Sequence, residues 1–321
     1  MKTDYQGRRF QSLRLSLTAA CNLACSYCVP TGMRLSATNR EMSSDEMIKS
    51  VRLLCRQLGI QKVRLTGGEP LISAKLDRVL PELNQLGLDD ISLTTNGQLL
   101  EKKAAFLKDN GINRINVSLD TLDEKKFRTL TRGGELQKTL AGIEAAIKVG
   151  LKIKVNMIPI LNSNDDEVVR VLEYCLERGI ELRYIELMRM GHLAKHEKFV
   201  EEFVSLNRLL EMIGAKYVVQ EIGLNMGSTS RRYQVEGGGT FGVIANESAP
   251  FCGSCNRLRL TAEGDIYGCL SSSQKFPIRH LIDMPPEQAE DKLSTLLTAA
   301  LATKQNVSFF GSTTQMMTVG G

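Results

Sequence analysis

From Arg14 to Pro30 the chain reads R-L-S-L-T-A-A-C-N-L-A-C-S-Y-C-V-P, placing Cys21, Cys25 and Cys28 directly after an alternating apolar run. The alternation has strand periodicity, so the three cysteines fall on a loop that follows a strand. Thiolates spaced by three and then two residues can each reach a different iron on one face of a cubane. Most iron–sulfur proteins supply four thiolates per cluster; with three, one iron stays open for a small molecule. A redox pair or half of a zinc site are the other readings of cysteines this close together, although a zinc loop usually shows paired C-x2-C units.

The C-x3-C-x2-C spacing, with Tyr27 between the last two cysteines, resembles the signature of the radical S-adenosylmethionine (SAM) superfamily. That resemblance implies a cluster whose open iron is chelated by the amino and carboxyl groups of SAM.

The 321 residues suit a large α/β domain with a smaller appendage. Forty-one basic against 36 acidic residues give a formal charge of +5, too mild to argue for nucleic acid but compatible with a local anion site. Eight cysteines, no secretory leader pattern and no apolar run of membrane-spanning length point to a reducing cytoplasm. Cys55 and Cys175 lie in helical apolar patterns and read as core thiols.

Strand-like and helix-like segments alternate. The strands expected are Leu13–Leu17, Lys62–Thr66, Ile91–Thr95, Arg114–Leu119, Lys152–Ile158 and Glu181–Leu187. Between them apolar residues recur at helical spacing, as at Met47, Val51, Leu54 and Leu58. Ser43 and Ser44, and later Asn164 to Asp166, offer N-caps, while Gly59, Gly87, Gly111, Gly150 and Gly179 offer stops. Six β-then-α units imply a parallel sheet with right-handed crossovers. Two units short of a closed eight-stranded barrel, the sheet is expected to be an open partial (β/α)6 barrel.

In such folds ligands gather at the carboxyl ends of the strands. Polar signals cluster there: Thr66-Gly67-Gly68-Glu69-Pro70, Thr94-Thr95-Asn96-Gly97, Ser118-Leu119-Asp120 and Met188. The glycine pair lets backbone approach a ligand, and Glu69 could receive a ligand ammonium. Alone, the G-G-E-P run reads as a turn; one unit after the cysteine loop, it reads as the amino-group site for SAM.

After about Met190 the rhythm fades. His192 and His196 sit in a polar stretch and are assigned no role; Phe199 to Ile213 reads as one helix and Arg231 to Ile244 as short strands. Cys252 and Cys255 form a C-x2-C pair, with Cys269 fourteen residues later. Zinc completed by His280 is one reading. Arg257 and Arg259 favour another, since arginines two apart on a strand share a face and could grip phosphate beside an open iron.

With T-G-G-E-P, L-T-T-N-G, I-N-V-S-L-D, the K-V-N of the fifth strand, C-x2-C-x-R-x-R-L and the terminal Gly320-Gly321, the chain resembles the GTP 3′,8-cyclase family of molybdenum-cofactor biosynthesis nearly end to end. The resemblance implies a radical SAM partial barrel over 1–190 and, over 191–321, a smaller C-terminal α+β region carrying a second cluster. It implies one [4Fe-4S] cluster on Cys21, Cys25 and Cys28, and another on Cys252, Cys255 and Cys269 with its open iron facing guanine. It places SAM on Tyr27, Gly68, Ser118 and Met188, and GTP on Arg14, Arg64, Thr94, Lys154, Arg257 and Arg259. The implied reaction begins with a 5′-deoxyadenosyl radical that takes hydrogen from the ribose C3′ of GTP, and the resulting carbon radical adds to guanine C8. The implied partners are an electron-donor protein and the next pathway enzyme, cyclic pyranopterin monophosphate synthase; nucleic acid and membrane are not among them, and a homodimer stays open. The glycine tail is expected to thread into the active site. Where the family typically reads T-D-R-C, this chain has Thr18-Ala19-Ala20-Cys21, and Ala24 replaces an arginine; these losses raise the alternative of a radical SAM enzyme acting on another substrate such as a peptide. A non-catalytic metal-binding protein, which would have no use for the G-G-E-P site, is the other alternative.

Overall fold

The computed structural model describes residues 3–194, 197–223, 229–305, 307–314 and 316–320. Its strands are β1 (Ser12–Ser16), β2 (Lys62–Thr66), β3 (Asp90–Thr95), β4 (Arg114–Ser118), β5 (Lys152–Met157), β6 (Glu181–Ile185), β7 (Val219–Gly223), β8 (Arg231–Val235), β9 (Thr240–Ile244), β10 (Arg257–Leu260), β11 (Asp265–Tyr267) and β12 (Phe276–Pro277). The first six match the strands expected from the sequence to within two residues at each end.

Among the described residues these strands form one sheet in the order β12-β11-β10-β1-β2-β3-β4-β5-β6-β9-β8-β7. From β10 through β1–β6 to β9 every neighbouring pair is parallel. The sheet is an open partial barrel: six β/α units form its body, and strands from the C-terminal region extend both edges.

Period-two alternation sorts the side chains. Leu13, Leu15, Val63, Leu65, Leu93, Ile115, Val117, Val155, Leu182, Leu258 and Leu260 are buried in one continuous core, the layer beneath the helices, where each fully buried side chain of this size contributes roughly 1.5–3 kcal/mol. The intervening Arg14, Arg64, Thr94, Ser118, Asn156, Arg183, Arg257 and Arg259 line a cavity on the other face.

The helices obey their local signals. Ser43 and Glu46 make a reciprocal capping box ahead of the helix Ser44–Leu58, which Gly59 ends at φ +62°. The expected helix from Phe199 to Ile213 is instead two, Lys198–Glu202 and Leu206–Gly214. Ser205 accepts from the Arg208 amide, and the buried Glu186 carboxylate accepts from Leu206 N at 2.9 Å, so a cap interrupts what periodicity alone would run together. The C-terminal region is pinned to the first helix by Arg279, which donates to both Glu46 oxygens at 2.8 and 2.9 Å. Cys175 is fully buried and Cys55 packs partly buried against the same core. No helix is long and apolar enough to cross a membrane among the described residues.

Candidate active site

The cysteine loop leaves β1 and is held by backbone. Gly68 N donates to Thr18 O and Glu69 N to Ala20 O, both at 2.8 Å. A Cβ at Gly68 would fall 2.2 Å from Ala20 O, so only glycine lets the two loops lie this close. The acid and base absent from Thr18-Ala19-Ala20 arrive from elsewhere in the chain. Glu41 accepts from Thr18 Oγ1 (2.9 Å) and Ala19 N (2.8 Å), and Lys75 Nζ donates to Glu41 (2.7 Å) and to Leu17 O (3.1 Å). Ala24 is 1% exposed, with its amide on Thr131 O, and has no room for an arginine. His192, assigned no role from sequence, lies 3.0 Å from Ser26 O through Nε2; His196 is outside the described residues.

Cys21, Cys25 and Cys28 line the large cavity together with Tyr27, Gly68, Glu69, Ser118, Asp120 and Met188. Burial pushes Cys21 up to about 11, Cys28 up to about 12 and Cys25 well above its ordinary value. Three half-buried thiols on one loop fit a metal cluster, whose irons supply the positive charge that makes thiolates. Among the described residues no three His, Cys, Asp or Glu side chains converge tightly enough to hold a single ion. A polynuclear cluster meets each thiolate through a different iron and does not need such convergence.

Beside the loop, Glu69 is 1% exposed and accepts from Leu71 N (3.0 Å), Thr95 Oγ1 (2.7 Å) and Asn96 N (2.7 Å). Burial outweighs these donors and lifts its carboxyl to about 7. Asp120 is likewise raised by burial, to about 6; it accepts from Tyr27 OH at 2.7 Å and Ile158 N at 2.9 Å. Tyr27 also packs with Ile158 against Leu187, Leu193 and Phe199, an apolar lip at the cavity's rim.

The opposite wall is cationic. Strand register sets Arg259, Arg14 and Arg64 side by side on β10, β1 and β2. Burial, with the neighbouring guanidiniums, drives Arg14 well below its ordinary value, and burial foremost brings Arg64 to about 9 and Arg259 to about 10. The sequence reading missed Arg183, 7% exposed, which donates to Asn116 Oδ1 (2.5 Å) and Asn156 Oδ1 (2.8 Å). Its signal was a lone charge between Leu182 and Tyr184 on a strand. Arg14 Nε and Arg183 Nε are buried with no partner among the described residues. Thr94 lies on the same wall and receives Asn116 Nδ2 at 3.3 Å. Lys154 does not line this cavity: it is ion-paired with Glu181 at 2.8 Å, one residue pair down β5 from the cavity-lining Asn156.

Cys252, Cys255 and Cys269 line a smaller cavity that shares Asn246, Phe251, Arg257, Arg259 and Leu270 with the large one. Burial alone would raise Cys255, but Arg257 and Lys304 overcome it and bring the thiol down to about 5, a thiolate at neutral pH. His280, the zinc alternative, is exposed and not part of this wall. Arg257 lies over the Phe251 ring, 5.1 Å from its centroid. The C-terminal segment reaches the cavity: Met316 lines it, and Arg259 donates to Val319 O (3.0 Å) and Gly320 O. Gly321 is outside the described residues.

Residues 15–175 match the Radical SAM superfamily, and residues 180–310 match Molybdenum Cofactor Synthesis C. The fold resembles the crystal structure of Streptococcus suis SuiB bound to S-adenosylmethionine, with a TM-score of 0.62 at 17% identity, covering 86% of this chain and 65% of that one. GTP 3′,8-cyclase from Listeria monocytogenes serotype 4b is 41% identical over 288 residues, 88% of this chain and 86% of the relative. The protein of that name from Synechocystis is 36% identical over 290 residues (90% and 88%), and that from Ectopseudomonas mendocina 35% identical over 319 residues (98% and 96%). Identity at this level along nearly the whole of both chains exceeds what a shared fold explains: the chain is a radical SAM enzyme and belongs to the GTP 3′,8-cyclase family.

Proposed function

We propose that this enzyme binds SAM at the thiol and carboxylate end of its cavity and GTP at the guanidinium end, and closes the bond between ribose C3′ and guanine C8. The observation that carries the substrate is the lateral row Arg259–Arg14–Arg64, joined by Arg257 and Arg183 on the same wall. Like charges crowded on a largely buried wall, with Arg14 Nε and Arg183 Nε unpartnered among the described residues, are costly until a polyanion neutralises them. A triphosphate does so through several charge-assisted bonds at once. A peptide without acidic residues offers no comparable charge, and even an acidic one spreads its charge over separate side chains, so the guanidinium row favours the nucleotide over that alternative.

When bound, a reduced iron–sulfur cluster and SAM supply the one-electron chemistry that takes a hydrogen atom from an unactivated ribose carbon. We assign the SAM-binding [4Fe-4S] cluster to Cys21, Cys25 and Cys28, and a second to Cys252, Cys255 and Cys269, whose cavity shares a wall with the large one and would let that cluster meet the guanine. The chain's own residues orient and exclude. Glu69, with Gly68, would receive the SAM ammonium, and Tyr27, fixed by Asp120, together with Ser118 and Met188 would hold the rest of SAM. Arg14, Arg64, Thr94, Arg257 and Arg259 hold the nucleotide so that C3′ meets the reacting carbon, a gain of proximity and not of acid–base chemistry. Lys154 contributes only if it leaves Glu181 for the substrate. An electron-donor protein supplies the electron, and the product passes to cyclic pyranopterin monophosphate synthase.

Calorimetric titration with GTP and with guanosine tests the substrate. Losing one charge-assisted bond costs roughly 1.5–3 kcal/mol, so Arg257→Ala is expected to weaken GTP about ten- to a hundredfold while SAM binding holds. Equal affinity for guanosine and GTP, or no cyclised nucleotide from anaerobically reconstituted enzyme, rejects the reading.

A further inference from the structure

Lys304 was invisible to motif reading and is 5% exposed. Its ammonium lies 3.3 Å from Cys255 Sγ, donates to Arg257 O at 2.6 Å, and stands 4.9 Å from the Phe10 ring centroid. It lines the small cavity and not the large one, so it meets the second cysteine set and touches the proposed nucleotide wall only through the Arg257 carbonyl. Its placement is rigid. It follows the helix Pro286–Ala302, whose end is pressed onto the strand leading to Cys269: a Cβ at Gly268 would fall 1.8 Å from Ala300 O.

We propose that Lys304 is a positioning residue for the second cluster, fixing Cys255 as its ligand and biasing that cluster toward its reduced form. The inference rests on the assignment of a cluster to Cys252, Cys255 and Cys269. Reduction adds one negative charge to a cluster, so an ammonium bonded to a ligating sulfur stabilises the reduced form more than the oxidised one. Hydrogen bonds and charge at the sulfurs are established levers on cluster potential and retention. A purely structural Lys304 would act through Arg257 O alone, leaving the potential untouched.

The test uses the full chain carrying Cys25→Ala, so that only the second site holds iron, reconstituted anaerobically and titrated by EPR. Lys304→Met keeps the apolar stem and loses the charge; Lys304→Gln keeps a donor for Arg257 O; Lys304→Arg keeps the charge. The midpoint is expected to move to more negative potential in the Met and Gln forms and to stay near that of Lys304 in the Arg form. Retention of iron against a chelator is expected to weaken roughly ten- to a hundredfold in the two neutral forms. Should Met fail to fold by circular dichroism, the Gln and Arg forms decide. An unchanged midpoint in Gln overturns the role of Lys304 with the cluster intact. Iron content near four instead of about eight per otherwise unmodified chain overturns the second-cluster assignment itself, and the role of Lys304 with it.

Discussion

Substituting Gly320 by alanine perturbs the tail at the point where it touches the barrel. Gly320 has φ +73°, and a Cβ there would fall 2.2 Å from Thr66 Oγ1. Thr66 is 2% exposed and its hydroxyl donates to Leu15 O at 3.4 Å, so the side chain cannot turn aside without losing that bond. A left-handed alanine costs about 1–2 kcal/mol. A displaced tail also gives up at least one bond from Arg259 to the carbonyls of Val319 and Gly320, a further 1.5–3 kcal/mol, roughly, for a charged donor. The sum, about 2.5–5 kcal/mol, weakens tail docking roughly sixty- to four-thousandfold at tenfold per 1.4 kcal/mol. Single-turnover formation of cyclised nucleotide should therefore fall steeply, while iron content and melting temperature hold, because the tail adds little to the core. Carboxypeptidase should trim the variant faster than the parent chain. Unchanged turnover with unchanged protection would mean that the docked tail does not contribute to the site, and would refute the reasoning.

Glu69 predicts a pH dependence for SAM. Its carboxyl titrates near 7 and a ligand ammonium pairs with the ionised form, so SAM affinity should fall about tenfold per unit below pH 7 and level off above it. Calorimetry in buffers of differing ionisation enthalpy should register proton release on binding, which Glu69→Gln removes. Because folding raises this carboxyl above its unfolded value, its contribution to SAM-free stability is present in acid and is lost as pH rises to about 7; Glu69→Gln should flatten the part of a melting profile between about pH 4.5 and 7. Gly68→Ala drives a methyl to 2.2 Å from Ala20 O and disrupts the two backbone bonds between the loops. It should cost about 2–5 kcal/mol by denaturant midpoint and abolish SAM binding.

The barrel's body was legible because its signals are local. Leu13, Leu15 and Leu17 alternate within five residues, Ser43 and Glu46 cap within four, and Gly59 stops the helix it follows. The cysteine loop and Glu69 were legible because spacing along the chain constrains where they can meet. Lys304 and His192 were not. Each acts through long-range contacts, Lys304 to Cys255 and Arg257 and His192 to Ser26, and one lysine or histidine in a polar stretch carries no period to read. Phe199 to Ile213 failed in the opposite sense, since a real apolar period ran across a cap that the buried Glu186 carboxylate, just past β6, completes.

Arg257 and Arg259 show what alternation can and cannot say. That the two share a face follows from the strand's period of two; that the face is the barrel's interior depends on which strand β10 joins. It joins β1 in parallel, with Arg259 opposite Arg14 and Ser12 opposite Arg257, a pairing across some 245 residues that no local pattern announces. The register is nonetheless strongly specified. A slip of one residue would turn Leu258 and Leu260, both 0% exposed, into the polar cavity and the arginines into the apolar layer beneath the helices, an error that each buried charge makes prohibitive. The substrate wall is thus fixed by the leucines: the apolar half of β10 chooses the register, and the arginines reach the anion site because they alternate with it.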